Sequence, residues 1–245
     1  MSTTGGALVY AVGDVHGCYD LMKALLADIA GDYAARADGR RPILVFLGDY
    51  VDRGAQSPKV LEALLWLRRR PDIEVRLLRG NHEQALLDFL EAPERGGGWL
   101  AYGGAETLIA YGVEPPEHPA AFARARDALL AAMPAAHLWL LQRLELMVTV
   151  GDYAFVHAGI RPGQPLAAQA EADLLWIRGP FLEAAGPHEK VIVHGHTWLD
   201  ARPQLQDCRI GVDTGAFATG VLTAVRLDGE DRAVLQARAA APADA

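Results

Sequence analysis

Three apolar runs, at residues 7–12, 42–47 and 73–78, are each followed by a Gly-Asp or Gly-Asn step: Gly13-Asp14-Val15-His16-Gly17, Gly48-Asp49-Tyr50-Val51-Asp52-Arg53-Gly54 and Gly80-Asn81-His82-Glu83. Stretches with helical patterning, at residues 19–30 and 57–70, separate the runs, so this part of the chain reads β-α-β-α-β. Crossover connections of that kind make the strands parallel and bring their carboxyl ends to one edge of the sheet, where open α/β folds place ligands. The three motifs are therefore expected to meet in space.

Beyond them, residues 82–90 read as a third helix whose first amides face the same edge and whose dipole favours an anion there. Residues 91–98, rich in Pro and Gly, read as a loop. Residues 105–143 are mostly helical, with breaks near Pro115-Pro116 and Pro134. Residues 91–143 carry none of the candidate ligands and are expected to shape substrate access. Strand-like runs follow at 144–150, 153–157, 191–193, 209–213, 221–227 and 233–237. Antiparallel pairing is expected there, with hairpin turns at Gly151-Asp152 and Asp228-Gly229 and a second sheet packed face to face on the first. The expected fold class is α/β (α+β), a two-sheet β-sandwich flanked by helices. It is read as a single domain over residues 1–245 with a flexible tail from about residue 239.

A chain of 245 residues can bury a substantial core. Its formal net charge of −8 opposes broad attraction to nucleic acid or to an anionic membrane, so a phosphorylated ligand must be held locally. No nucleic-acid or membrane partner is expected. Cys18 and Cys208 are the only cysteines, too few for a disulfide scaffold. Met1-Ser2-Thr3-Thr4-Gly5-Gly6 lacks the basic start and apolar stretch of a signal peptide, and no apolar run approaches the roughly 20 residues of a membrane span. A cytoplasmic location is the expectation.

Asp14 and His16 stand two apart at a strand end and can face one divalent ion together. The two oxygens of Asp49 can bridge two ions roughly 3.5–4 Å apart. Asn81 offers a carbonyl oxygen, and His157 in His157-Ala158-Gly159 and His196 in Gly195-His196-Thr197 offer imidazole nitrogens. This mixed oxygen and nitrogen set suits Mn, Fe or Zn better than Mg or Ca. Any of these residues alone reads more simply as a loop or core residue; six ligands from five glycine-flanked motifs do not. Two bound ions lower the pKa of a bridging water, which can then attack phosphorus directly.

His82, next to Asn81, is the candidate general acid, and Asp52 its partner, able to raise its pKa by a hydrogen bond. Arg53 can grip two phosphate oxygens with its planar guanidinium. Arg178, in Leu174-Leu175-Trp176-Ile177-Arg178-Gly179, is a second clamp candidate and Arg161 a third, while Arg79 is read as a structural ion-pair partner.

At these motifs the chain resembles the phosphoprotein phosphatase (PPP) family of metal-dependent serine/threonine phosphatases, over roughly residues 7–224. The resemblance implies that Asp14, His16 and Asp49 hold one metal and that Asp49, Asn81, His157 and His196 hold the other. It further implies His82 as proton donor with Asp52 behind it, Arg53 and Arg178 on the phosphate, and manganese as the metal commonly used. His194 has no counterpart and is read either as supporting a neighbouring ligand or as structural. Trp198 stands where the wider metallophosphoesterase superfamily has the second His of Gly-His-x-His, which favours the PPP branch.

The expected reaction is dephosphorylation of phosphoserine or phosphothreonine in proteins, towards which Asp52 and Glu83 tilt the reading. The alternative is a symmetrical diadenosine tetraphosphate hydrolase, which would need a base-stacking pocket offered by Trp99, Tyr102 or Tyr111. An inactive scaffold is disfavoured because no ligand and no acid is missing.

Overall fold

The computed structural model describes residues 2–36 and 38–239. Strands β1 (Leu8–Val12), β2 (Ile43–Phe46) and β3 (Glu74–Leu77) pair in parallel, with Val12 opposite Phe46 and Phe46 opposite Leu77, so their carboxyl ends finish level. Helices α1 (Tyr19–Arg36) and α2 (Ser57–Leu67) form the crossovers, and α3 (Asn81–Glu91) follows β3. β1 is buried at every residue and β2 at three of its four, as expected of strands covered on both faces, whereas β3, at the sheet edge, is half-buried except at Leu77. Leu8, Tyr10, Leu44 and Phe46 pack against the helices, while Val9, Ala11, Val45 and Leu47 face the second sheet.

The second half contributes β4 (Met147–Val150), β5 (Tyr153–Val156), β6 (Val191–His194), β7 (Gln204–Leu205), β8 (Arg209–Gly211), β9 (Val221–Asp228) and β10 (Asp231–Arg238). They form two five-stranded sheets with the first three, in the orders β10-β9-β1-β2-β3 and β4-β5-β6-β8-β7. Tyr153, Phe155, Val191, Val193, Ile210 and Val212 of the second sheet and its edges meet the inner face of the first, the face-to-face sandwich expected.

Two expectations about pairing are corrected. The runs at 221–227 and 233–237 do not belong to the second sheet. β9 lies antiparallel on the free edge of β1, Val12 opposite Ala224, and β10 pairs with β9. β1 is buried along its whole length and its open edge would otherwise leave backbone donors without partners. Nor is the second sheet purely antiparallel, since β5, β6 and β8 run parallel. The β5–β6 connection is long enough to cross over through short helices at Glu171–Trp176 and Gly179–Leu182, whose Leu174 and Phe181 cover the outer face of the sheet. Both turns are where the sequence placed them: β4 and β5 form an antiparallel hairpin through Gly151, and β9 and β10 one through Gly229.

The middle segment is helical earlier than expected. A tight turn at Pro93–Arg95 leads at Gly97 into a helix that widens over Leu100–Gly104 and continues through Ala105–Ala110. Helices Phe122–Ala132 and Ala135–Leu141 follow, with breaks where Pro115-Pro116 and Pro134 stand. Of the tail expected from about residue 239, everything past that residue lies outside the described residues. Among the described residues no helix is long and apolar enough to cross a membrane.

Candidate active site

Among the described residues, all five non-glycine residues with positive φ are candidate site residues: His16 (43°), Asp49 (52°), Asp52 (72°), Arg53 (66°) and His196 (65°). Side-chain-bearing residues in this region cost on the order of 1–3 kcal/mol each and persist where surrounding contacts over-determine them. Here the loops after β1, β2 and β6 turn sharply to aim their side chains at one point. Close backbone approach is needed as well: a Cβ at Gly195 would sit 2.1 Å from Asp14 Oδ1.

Asp14, His16, Asp49, Asn81, His157 and His196 are all buried and gather at the shared strand edge. Asp49 sits between two groups of histidines, with Oδ2 3.4 Å from His16 Nε2 and Oδ1 3.5 Å from His157 Nε2. Asp14 Oδ2 accepts the His196 backbone N–H at 3.0 Å, which joins the first and last motifs. Candidate ion-holding groups appear on both sides of Asp49, as His16-Asp49-His82 and Asp49-His157-His196.

Whether these donors fit metal ions can be tested on their lone pairs. Asp14 Oδ1 and His196 Nε2 are buried with no hydrogen-bond partner. His157 Nδ1 faces the Leu47 carbonyl at 2.8 Å and must donate to it, which leaves a lone pair on Nε2. Asn81 Oδ1, another acceptor, lies 2.9 Å from that nitrogen. His16 repeats the pattern, its Nδ1 donating to the Val51 carbonyl at 2.9 Å while Nε2 points at Asp49. Acceptors converging on acceptors in a buried place are costly unless a cation lies between them. The residues fit a pair of divalent ions.

Electrostatics agree. Burial pulls the pKa of His16 down to about 3 and that of His196 to about 2, keeping both neutral as ligands must be. Burial, then Asp213 and Asp49, raise Asp14 well above the carboxylate range. Asp49 is held below its usual range, because His157, His82 and His16 outweigh its burial.

His82 is not free to join the ligands, since both of its ring nitrogens are engaged. Nδ1 lies 2.7 Å from Asp52 Oδ2, and Nε2 accepts from the Arg53 guanidinium at 3.1 Å. Burial pulls its pKa down, but Asp49 and the hydrogen bond to Asp52 prevail and the net shift is upward. The ring lies 4.6 Å from the His16 ring, edge to face. The first amides of α3 are indeed turned to the site, yet they serve the protein's own carboxylates: His82 N–H donates to Asp49 Oδ1 and Gly80 N–H to Glu83.

Arg53 stacks its guanidinium over Phe217, 4.5 Å from the ring centre, beside His16. Arg178 is exposed and donates to Thr197 Oγ1 at 3.1 Å, one residue from His196. Arg161 is removed from the clamp set because Asp173 holds it in a bidentate pair. Arg79 makes the ion pair expected of it, with Glu171 at 3.3 Å. His194 is fully buried in β6 against Phe181 and contributes packing.

Two of the three aromatics offered for base stacking are occupied: Trp99 is buried with its indole N–H on Asp52, and the Tyr111 hydroxyl meets His137, leaving Tyr102 exposed.

Sequence reasoning does not foresee how three neighbours hold the site: it singles out Glu83 and Trp99 for other reasons and Thr107 not at all. Glu83 is fully buried and accepts from four backbone amides, Asp49 and Gly80 on one oxygen and Tyr50 and Val51 on the other. Its place three residues after Gly80 at a helix start was a usable signal. Thr107 and Trp99, which both donate to Asp52, carried no local signal.

Two face-to-face sheets with this donor set between their strand ends define a binuclear metallophosphoesterase. The chain belongs to the calcineurin-like phosphoesterase family, whose profile matches residues 7–213. Serine/threonine-protein phosphatase 1 of Salmonella typhimurium is 31% identical over 226 residues, which is 89% of this chain and 91% of that protein. A symmetrical bis(5'-nucleosyl)-tetraphosphatase of Methylococcus capsulatus is also 31% identical, over 230 residues and 89% of this chain, but the match spans 65% of its length. A protein serine/threonine phosphatase structure from Saccharomyces cerevisiae superposes with a TM-score of 0.58 at 18% identity, covering 98% of this chain and 82% of its own, which shows the shared fold. The two curated relatives match at equal identity, so similarity alone does not separate phosphomonoesters from dinucleoside polyphosphates as substrates.

Proposed function

We propose that the protein is a metal-dependent phosphomonoesterase that dephosphorylates phosphoserine and phosphothreonine in proteins. The observation that carries this reading is the His82–Asp52 pair, buried at the edge of the ligand cluster with Arg53 beside it. A proton donor in that position serves an alkoxide leaving group, which departs poorly unless protonated. The end-to-end match to a serine/threonine phosphatase of similar length supports the same substrate class.

Asp14, His16 and Asp49 would hold one ion and Asp49, Asn81, His157 and His196 the other, with manganese the metal proposed and iron or zinc compatible with the same donors. Ions bound there supply an activated water and polarise the phosphoryl group. Arg53 and Arg178 bind the phosphate oxygens and orient phosphorus towards the cluster. His82, held by Asp52 through Nδ1, presents Nε2 to the leaving oxygen; Arg53 must release that nitrogen when it turns to substrate. The two free cysteines and the acidic charge support a cytoplasmic protein with no nucleic-acid or membrane partner.

One observation favours a second reading. Half-exposed Trp176 stands 6.3 Å from the His196 ring, and Phe217, 5.3 Å from the His16 ring, would open to a base once Arg53 leaves its ring for the phosphate, so aromatic rings border the cluster on both sides. A dinucleoside polyphosphate could stack its bases there. Turnover of a phosphothreonine peptide and of diadenosine tetraphosphate by manganese-loaded enzyme separates the readings, with His82→Asn controlling for contaminating phosphatase. Faster peptide turnover that the variant loses supports the proposal; preference for the dinucleotide transfers the function to the second reading.

A further inference from the structure

The Asp52 carboxylate is fully buried and receives three side-chain donors, of which His82 is only one. Thr107 Oγ1 donates to Oδ1 at 2.6 Å, and Trp99 Nε1 donates to Oδ2 at 2.9 Å, the same oxygen that meets His82. Thr107 is used twice, because its oxygen also accepts the Asp52 backbone N–H at 2.9 Å. Between these two residues the helix widens at Gly103 (φ 116°), whose carbonyl accepts the Arg53 backbone N–H at 3.1 Å. A side chain at Gly103 would strike Arg53, its Cβ falling 2.6 Å from Cγ. The Trp99 ring packs on Phe89 of α3, the helix whose first turn carries His82, with ring centres 4.6 Å apart. Residues 99–107, which hold no ligand, thus grip Asp52 and Arg53 from behind and lean on the helix that carries His82.

We propose that Trp99 and Thr107 are positioning residues for the Asp52–His82 pair, a brace that holds both carboxylate oxygens so that the His82 Nδ1–H bond, and with it the direction of Nε2, is set before substrate arrives. A buried carboxylate with one partner can rotate and share its charge among other donors. With Oδ1 held by Thr107 and the edge of Oδ2 held by the Trp99 indole, one lone-pair direction remains on Oδ2, and it meets His82. The proposal rests on the reading of His82 as proton donor.

The test pairs Thr107→Val and Trp99→Phe with Thr107→Ser, which keeps the hydroxyl, and with His82→Asn. Each protein is assayed on phenyl phosphate, a poor leaving group, and p-nitrophenyl phosphate, a good one, with bound manganese quantified.

The first two variants should lose about tenfold in kcat on phenyl phosphate, a part of the 10²–10⁴-fold that a general acid contributes. On p-nitrophenyl phosphate the loss should stay within about twofold, with KM and manganese content unchanged. Thr107→Ser should behave as wild type. In metal-free, histidine-labelled protein the protected His82 Nδ1–H resonance should be present in wild type and Thr107→Ser, exchange-broadened in Thr107→Val and Trp99→Phe, and absent in His82→Asn.

Equal loss on both substrates in the brace variants, with His82→Asn still selective for the poor leaving group, overturns the brace and keeps the acid. Equal loss in His82→Asn as well overturns the acid assignment and the brace together. An unchanged Nδ1–H resonance in both brace variants overturns the brace whatever the rates.

Discussion

His16 and His157 each spend Nδ1–H on a backbone carbonyl, Val51 and Leu47, and so each turns a neutral Nε2 towards Asp49. The backbone thereby chooses the tautomer, and the carboxylate between the two rings is placed to neutralise cations on either side. Asp49→Asn should therefore lower metal occupancy as well as rate. Metal analysis of the purified variant checks this, and full occupancy would remove Asp49 from the shared position. His82 differs from its neighbours in having both nitrogens occupied by Asp52 and Arg53. His82→Asn should retain both metals and lose most rate on substrates with poor leaving groups, measured as the ratio of kcat values for phenyl and p-nitrophenyl phosphate. The gathering of these candidate ligands was legible in the sequence because each follows an apolar run at a glycine-flanked turn. The partners that tune them were not, since Val51, Leu47 and Thr107 act through contacts that chain order does not announce.

Helix α3 joins two loops through Glu83, whose carboxylate collects the amides of Asp49, Tyr50, Val51 and Gly80. Four buried donors on one side chain hold the loop after β2 against the start of the helix, and both carry candidate site residues. Glu83→Gln replaces one acceptor oxygen with a donor that faces two amides. Leaving buried donors unpaired costs roughly 1–3 kcal/mol, which in a protein of this size amounts to a few degrees in Tm. Calorimetry of the metal-free variant checks it; an unchanged Tm would mean that the loop is held by other contacts. The βαβαβ half and the helix breaks at Pro115-Pro116 and Pro134 could be read from periodicity and proline chemistry alone. The partners of β9 and β10 could not, because an apolar strand next to a hairpin turn fits the open edge of either sheet.

The two sheets enclose several ionisable groups away from water, so stability should depend on pH in a way that burial dictates. His194 is the clearest case among residues outside the proposed ligand set: burial lowers its pKa from 6.5 to about 4. The unfolded chain takes up a proton near 6.5 and the folded protein only near 4. The stability this group contributes is thus complete above pH 6.5, declines as the pH falls towards 4, and is lost below that. The shift corresponds to roughly 3 kcal/mol. Denaturant titration of the metal-free protein at a series of pH values should show that decline, and His194→Leu should flatten it; an equally steep decline in the variant would place the effect on other groups.

Composition, apolar runs and glycine-flanked motifs were enough to determine two sheets with helices around them, six candidate ligands and the His82–Asp52 pair, because those features depend on local periodicity and on residues a few positions apart. Which edge β9 would occupy, which amides Glu83 would gather and which donors would reach Asp52 from residues 99–107 were decided only by the tertiary structure. Each of those depends on satisfying a buried polar group or an open strand edge with a partner far away in sequence, and only the packed molecule brings that partner within reach.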